Sequence, residues 1–143
     1  MSFHEDLHNA IRTRFKNQVQ DVYDSGSLAG KVAYDNAPFD QPADGSLWVR
    51  WSVTENLSQQ AEIGDPGNNR FRTFGNAVAS IFAPIEMGDQ NGLQLADAIK
   101  AAFQSTIADG VVYRTPSLTM VGRLNNRYWQ INVSCPFHSD QFA

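Results

Sequence analysis

The sequence predicts an α+β fold: two helices packed on a mixed, largely antiparallel sheet of about six strands, in the order helix, three strands, helix, three strands. Three observations predict it. Apolar residues recur every four positions from Phe3 to Val19 and return at helical spacing from Leu93 to Phe103. Between and after these stretches, apolar and polar residues alternate in runs bounded by Gly, Pro and Asn. The length of 143 residues suits a single domain, taken here as 1–143.

Phe3, Leu7, Ile11, Phe15 and Val19 form the stripe of the first helix. Ser2 and Glu5 have capping-box spacing at its start, and Gly26 and Gly30 stop it. Residues 31–35 read as a short strand, followed by an irregular connection marked by Pro38, Pro42 and Gly45. Residues 47–55 alternate cleanly. Leu47, Val49, Trp51 and Val53 share one face, and Trp48, Arg50, Ser52 and Thr54 the other. Residues 56–69 are polar, contain Gly and Pro and show no period, so they are expected to be a long loop.

Residues 70–83 read as a long strand, bent or bulged near Gly75 and ended by Pro84. A second helix of about 17 residues follows, capped by Asp89 or Asn91. Its stripe is Leu93, Ala96, Ile99, Phe103 and Ile107, and Gly110 is its expected C-terminal stop. Residues 111–115 and 117–124 read as strands separated by Pro116, which implies a bend or an edge position. Asn125-Asn126 tolerates positive φ and suits a tight hairpin turn into a last strand, 128–137. On that strand Trp129, Ile131, Val133, Cys135 and Phe137 share a face.

Composition narrows the function classes. Hydrophobic residues make up 42% of the chain, enough for a core. Charged residues make up only 18%, below the roughly 25% of ordinary domains. Eleven Asn and ten Gln take their place. The net charge of −4 argues against a phosphate-gripping surface. No apolar run approaches 18 residues, so no membrane partner is expected. The charged, amphipathic start is unlike a signal peptide. The single Cys135 excludes an internal disulfide, and its place on an apolar face makes it an inert thiol.

The sharpest chemical motif is His4-Glu5-Asp6-Leu7-His8, the H-E-x-x-H pattern of zinc peptidases. A small zinc-dependent hydrolase using His4, Glu5 and His8 is therefore one alternative. Against it, the motif precedes any sheet that would line a cleft, and Glu5 is needed for the cap. The only other histidine, His138, lies near an expected frayed end. Two half-exposed histidines beside the apolar stripe are the better reading, with no metal, cofactor or catalytic residue assigned. A second alternative is a nucleic-acid-binding module built on Arg70-Phe71-Arg72 and on Trp48 with Arg50. Subunit interfaces enrich the same residue types, and the acidic balance favours that reading.

The whole-chain pattern resembles the tail-terminator family of long-tailed bacteriophages, related to the lambda tail terminator. The resemblance runs through Ala10-Ile11-Arg12 and Arg14-Phe15, then Asn36-Ala37-Pro38-Phe39 and Pro42-Ala43-Asp44-Gly45-Ser46-Leu47-Trp48-Val49-Arg50. It continues in Ser80-Ile81-Phe82-Ala83-Pro84, Gly88, Leu95-Ala96-Asp97-Ala98-Ile99, Pro116-Ser117 and residues 128–137. It implies a structural virion protein without enzyme activity or cofactor, assembled in the host cytoplasm. Such proteins form a homohexameric ring on the head-proximal end of the tail tube, stop tube polymerisation and present a head–tail joining surface. The implied partners are further copies of the chain, the tail tube protein and the head-completion or connector protein. Genomic DNA passes through the lumen without specific binding.

The resemblance assigns no contact residues. Those are placed on physical grounds: two helices on one sheet face leave the other face for a neighbour or the tube to cover. Trp48, Arg50, Arg70 and Arg72 are expected on or near that surface, with Gln59, Glu62 and Asp65 reaching a neighbour.

Overall fold

The computed structural model describes residues 2–85 and 90–142. Helix α1 spans Phe3–Phe15 and buries Leu7, Ile11 and Phe15. Ser2 caps it, its hydroxyl accepting the Glu5 N–H at 3.1 Å. A stripe spaced by four drifts about 40° per step on a helix of 3.6 residues per turn. The chain absorbs the drift in a π-helical turn, Lys16–Gln20, closed by Asp21 N–H on the Lys16 carbonyl at 2.9 Å. Val19 thereby stays on the buried face. Positive φ at Asp24, Ser25 and Gly26 then turns the chain away from the helix.

The strands are β1 (Val32–Tyr34), β2 (Trp48–Gln60), β3 (Arg70–Pro84), β4 (Ile107–Ala108), β5 (Val111–Tyr113), β6 (Ser117–Arg123) and β7 (Tyr128–Phe142). Helix α2, Gln90–Phe103, lies between β3 and β4. The sheet order is β1-β2-β3-β7-β5-β4, with β6 also on β7. Among the described residues only β1, paired with β2, is parallel. The α+β expectation holds, with two helices on a mixed and largely antiparallel sheet.

Strands β5 and β6 line up along the same edge of β7: residues 111–113 pair with 139–137, and 117–123 with 134–129. Pro116, with no N–H to donate, sits at the break between them. Both helices pack on one face of the sheet. Leu7, Ile11, Phe15, Leu95, Ile99 and Phe103 meet Val49, Trp51, Ala77, Ala79, Ile81, Ile131, Val133 and Phe137 in one buried cluster. Phe15 stacks on Trp51 at 4.2 Å.

Several expectations change. Residues 56–60 are strand, so the expected loop 56–69 shrinks to the residues beyond Gln60. The polar composition hid a continuing ladder: Leu57 to Gln60 pair with Phe74 to Phe71. The irregularity expected near Gly75 falls on its partner strand, where the register shifts between Glu55 and Leu57. Helix α2 ends at Phe103, so Ile107 is not on its stripe and is exposed on β4.

Asp109 and Gly110 both take positive φ and form the tight turn between β4 and β5, which adds a seventh strand. Gly110 is thus a hairpin residue and not a helix stop. The Asn125-Asn126 hairpin forms without positive φ. Instead the Asn125 Oδ1 accepts the Arg127 and Tyr128 N–H groups at 2.7 and 3.1 Å. Strand β7 runs to Phe142, which places His138 within the ladder, buried, and not at a frayed end. Asp89, one of the two expected caps of α2, lies outside the described residues, as does Gly88.

Candidate assembly surface

Cross-strand partners share a sheet face, so the register defines what the helices leave uncovered. Facing away from α1 and α2 are Trp48, Arg50, Ser52 and Thr54 of β2 and the even-numbered residues of β3 from Arg70 to Phe82. Beside them stand Gln130, Asn132, Ser134, His138 and Asp140 of β7. No described helix covers this face, although Ser80, Phe82, Tyr128 and His138 on it are buried.

One end of the face is aromatic. Trp48 is half-buried, stacked on Phe82 at 4.2 Å and on Phe39 at 5.2 Å, with Tyr128 edge-on at 6.4 Å. Tyr128 ties this end to the connection before β2 by donating its hydroxyl to the Ser46 carbonyl at 3.2 Å. The Arg50 guanidinium lies 5.5 Å from the Phe82 ring centre, and Arg50 is exposed.

The middle carries small polar and amide groups. Ser134 Oγ lies 3.5 Å from Asn76 Oδ1, and Gln130 Nε2 donates to Asn132 Oδ1 at 3.1 Å. The far end is charged. Arg72 donates two hydrogen bonds to Asp140, at 2.8 and 3.1 Å. That pairing holds the Asp140 carboxyl below its ordinary range and raises the guanidinium. Arg70 lies 3.8 Å from both Asp140 and Glu62. His138 stands beside Phe74, and burial first, then Arg72 and Arg114, push its pKa down.

Four of the seven residues expected at a contact surface, Trp48, Arg50, Arg70 and Arg72, therefore share one face, and Gln59 joins them opposite Arg72. Glu62 and Asp65 lie instead in the tip between β2 and β3, where they close the turn. Glu62 accepts the Arg70 N–H at 3.2 Å, and the Asp65 backbone carbonyl accepts the Asn68 N–H at 2.9 Å. Sequence reasoning missed Asp140, and it missed the polar ladder of Asn76, Ser80, Asn132 and Ser134. The alternation Gln130, Asn132, Ser134 against the apolar positions of β7 was the signal for that ladder.

The two histidines of the H-E-x-x-H motif converge on one carboxylate. His4 Nδ1 and His8 Nε2 meet the two oxygens of Glu55, at 2.7 and 2.9 Å. Glu5 contributes its backbone N–H to the helix cap. Among the described residues no group of three His, Cys, Asp or Glu side chains is placed to hold a metal ion. Burial pushes the Cys135 thiol up to about 12, which keeps it protonated and unreactive. No helix of the described residues is long and apolar enough to cross a membrane.

Comparison with known proteins adds what the geometry lacks. No curated protein matches the chain. A solved structure of a protein that carries no functional description is similar over 95% of this chain and 96% of its own, with 22% identity and a TM-score of 0.55. That likeness is one of fold. The family model described as phage tail terminator protein matches residues 6–137, nearly the whole chain. With its one-sided core and open sheet face, the chain belongs to the phage tail terminator family, structural proteins of the phage tail.

Proposed function

We propose that copies of this chain form a closed ring, a homohexamer, on the head-proximal end of a phage tail tube. The ring ends tube polymerisation and offers the surface on which the head-completion or connector protein docks. A ring that binds the tube on one side without repeating the tube's own growing surface on the other stops addition of further tube subunits.

The observation that carries this reading, beside the family, is the open sheet face. A sheet buried by helices on one side only, with Arg50, Arg72, Trp48 and a ladder of amides on the other, suits a protein whose second face is covered in an assembly. Trp48, Arg50, Gln59, Arg70 and Arg72 are the proposed contacts to the tube or to a neighbouring copy, with Glu62 and Asp65 at the tip. The net charge of −4 favours a lumen that lets genomic DNA slide over one that grips it. The reading needs no cofactor and no catalytic residue.

Deleting the gene tests it. The expected result is overlong or irregular tails with no joined heads in electron micrographs. Tails of normal length carrying heads would overturn it.

A further inference from the structure

The sheet has two long unpaired edges on opposite sides, and neither is protected as edges of isolated domains usually are. On one side β6 pairs only with β7 among the described residues. Its stretch Ser117, Leu118, Thr119, Met120 carries no charge and no proline. Met120, Val121 and Leu124 are exposed apolar side chains at this edge. On the other side β1 covers β2 only from Val49 to Trp51, and the Asp35 carboxylate takes the next N–H, at Val53. Residues 56–60 (Asn-Leu-Ser-Gln-Gln) are all exposed and uncharged; Asn56 sits in the register shift, and Leu57 to Gln60 pair only with β3 among the described residues. Unpaired N–H and C=O groups in uncharged strands template pairing with another chain, and proteins ordinarily blunt them with Lys, Pro or a bulge. Here each edge carries one bulge: that at Asn56 precedes the straight stretch 57–60 of β2, and that at Val121 follows the straight stretch 117–120 of β6.

Building on the ring reading above, we propose that β6 of one copy pairs with residues 56–60 of β2 in the next, so that the sheets of successive copies join edge to edge. The occupant of each edge is a second copy because one chain carries both halves of the contact, on opposite sides of one sheet. Two different surfaces of one chain that fit each other make a head-to-tail contact, which closes into a ring when the rotation between copies allows it. The flanks differ in charge: Arg114, Arg123 and Arg127 flank β6, whereas Asp65 and Glu62, the latter 3.8 Å from Arg70, lie at the tip beyond residues 56–60.

Height along the sheet agrees as well. Strand β6 lies beside residues 129–134 of β7, whereas residues 57–60 lie level, through β3, with residues 138–141. Each joined copy is therefore displaced along the strand direction, the stagger that a closed wall of tilted strands requires. The pairing would cover the long uncharged stretches of both edges and leave only the short outer strands β1 and β4 free, which accounts for the missing charges on β6 and on residues 56–60.

Two lysine variants test the pairing: Thr119→Lys/Met120→Lys on β6 and Leu57→Lys/Gln59→Lys on β2. Circular dichroism checks that each folds. Rings are then scored by electron microscopy, in solution and on tail tubes, beside the unaltered chain. The unaltered chain is expected to form rings, and each variant alone to lose self-association by more than about tenfold. Mixed in equal amounts, the variants are expected to form a dimer, since each keeps one free edge. Rings formed by either variant as readily as by the unaltered chain would overturn the pairing, and so would the absence of a dimer in the mixture. The absence of rings from the unaltered chain, even on tubes, would overturn the ring reading and the pairing together. A Ser58→Cys/Thr119→Cys chain tests the contact without blocking it. Bridging with a short bismaleimide should give a ladder of linked copies, and rings that yield only unlinked chains would overturn the pairing alone.

Discussion

Arg72 holds Asp140 across the β3–β7 ladder through two hydrogen bonds, of 2.8 and 3.1 Å, where the sheet runs out toward its tip. The pair lies on the sheet face turned away from both helices and outside the helix-packed core, so it braces a region that the core does not. Arg72→Ala is expected to leave the helix-packed core intact while loosening residues 70–74 and 138–142. Hydrogen exchange should rise in these two segments and stay unchanged in α1 and α2. Uniformly faster exchange would contradict the assignment of a local brace.

Acid should act on this same end in two stages. Burial and the two arginines, Arg72 and Arg114, hold His138 below its ordinary value of 6.5, against the opposing pull of Asp140. A folded-state pKa below the unfolded one gives stability that is complete above about pH 6.5 and is lost as pH falls through the folded value. Asp140 has the same sign at lower pH: its contribution is complete above about 3.8 and is lost as pH falls through its depressed value. A melting-temperature series should show the first decline, and His138→Phe should flatten it. An identical slope in the variant would contradict the role given to His138.

The two histidines of the H-E-x-x-H motif serve tertiary structure through Glu55, which fastens the start of α1 to β2. His4 is well exposed, so the pairs are worth little individually. Glu55→Ala is expected to cost about 1 kcal/mol in urea unfolding, with no change in metal content by elemental analysis. Bound zinc in stoichiometric amount, lost in a His4→Ala/His8→Ala variant, would contradict this reading.

Gly75 has no room for a side chain. A Cβ there would lie 2.6 Å from the Phe137 ring and closer still to the Thr54 carbonyl. Gly75→Ala is expected to destabilise the fold by about 1–3 kcal/mol through overpacking. A neutral change in the denaturation midpoint would mean that the β2 irregularity opposite it absorbs the methyl group.

Strongly periodic elements were legible in the sequence, and polar ones were not. The stripe Phe3 to Val19 and the alternation of β2 and β7 reflect burial on one face, which leaves a pattern in composition. Residues 56–60 carry no such pattern, because all five are exposed, and the strand pairing of Leu57 to Gln60 comes from the ladder with β3. The early end of α2 was hidden because Ile107 continues its stripe by spacing. What decides the matter is Asp109-Gly110, whose positive φ makes a hairpin and pulls the preceding residues into β4. The candidate surface was half legible: the arginines and Trp48 stood out as residue types. Asp140 did not, since its importance comes from lying opposite Arg72 at a distance of 68 residues in the chain.

The central claim, that this protein ends tube growth by capping one end, is tested most directly by adding purified protein to polymerising tail tubes. Tube lengths and ends are then measured by negative-stain electron microscopy. The account predicts shortened tubes with ring-shaped density at one end only. An unchanged length distribution with bare ends at every protein concentration would contradict it.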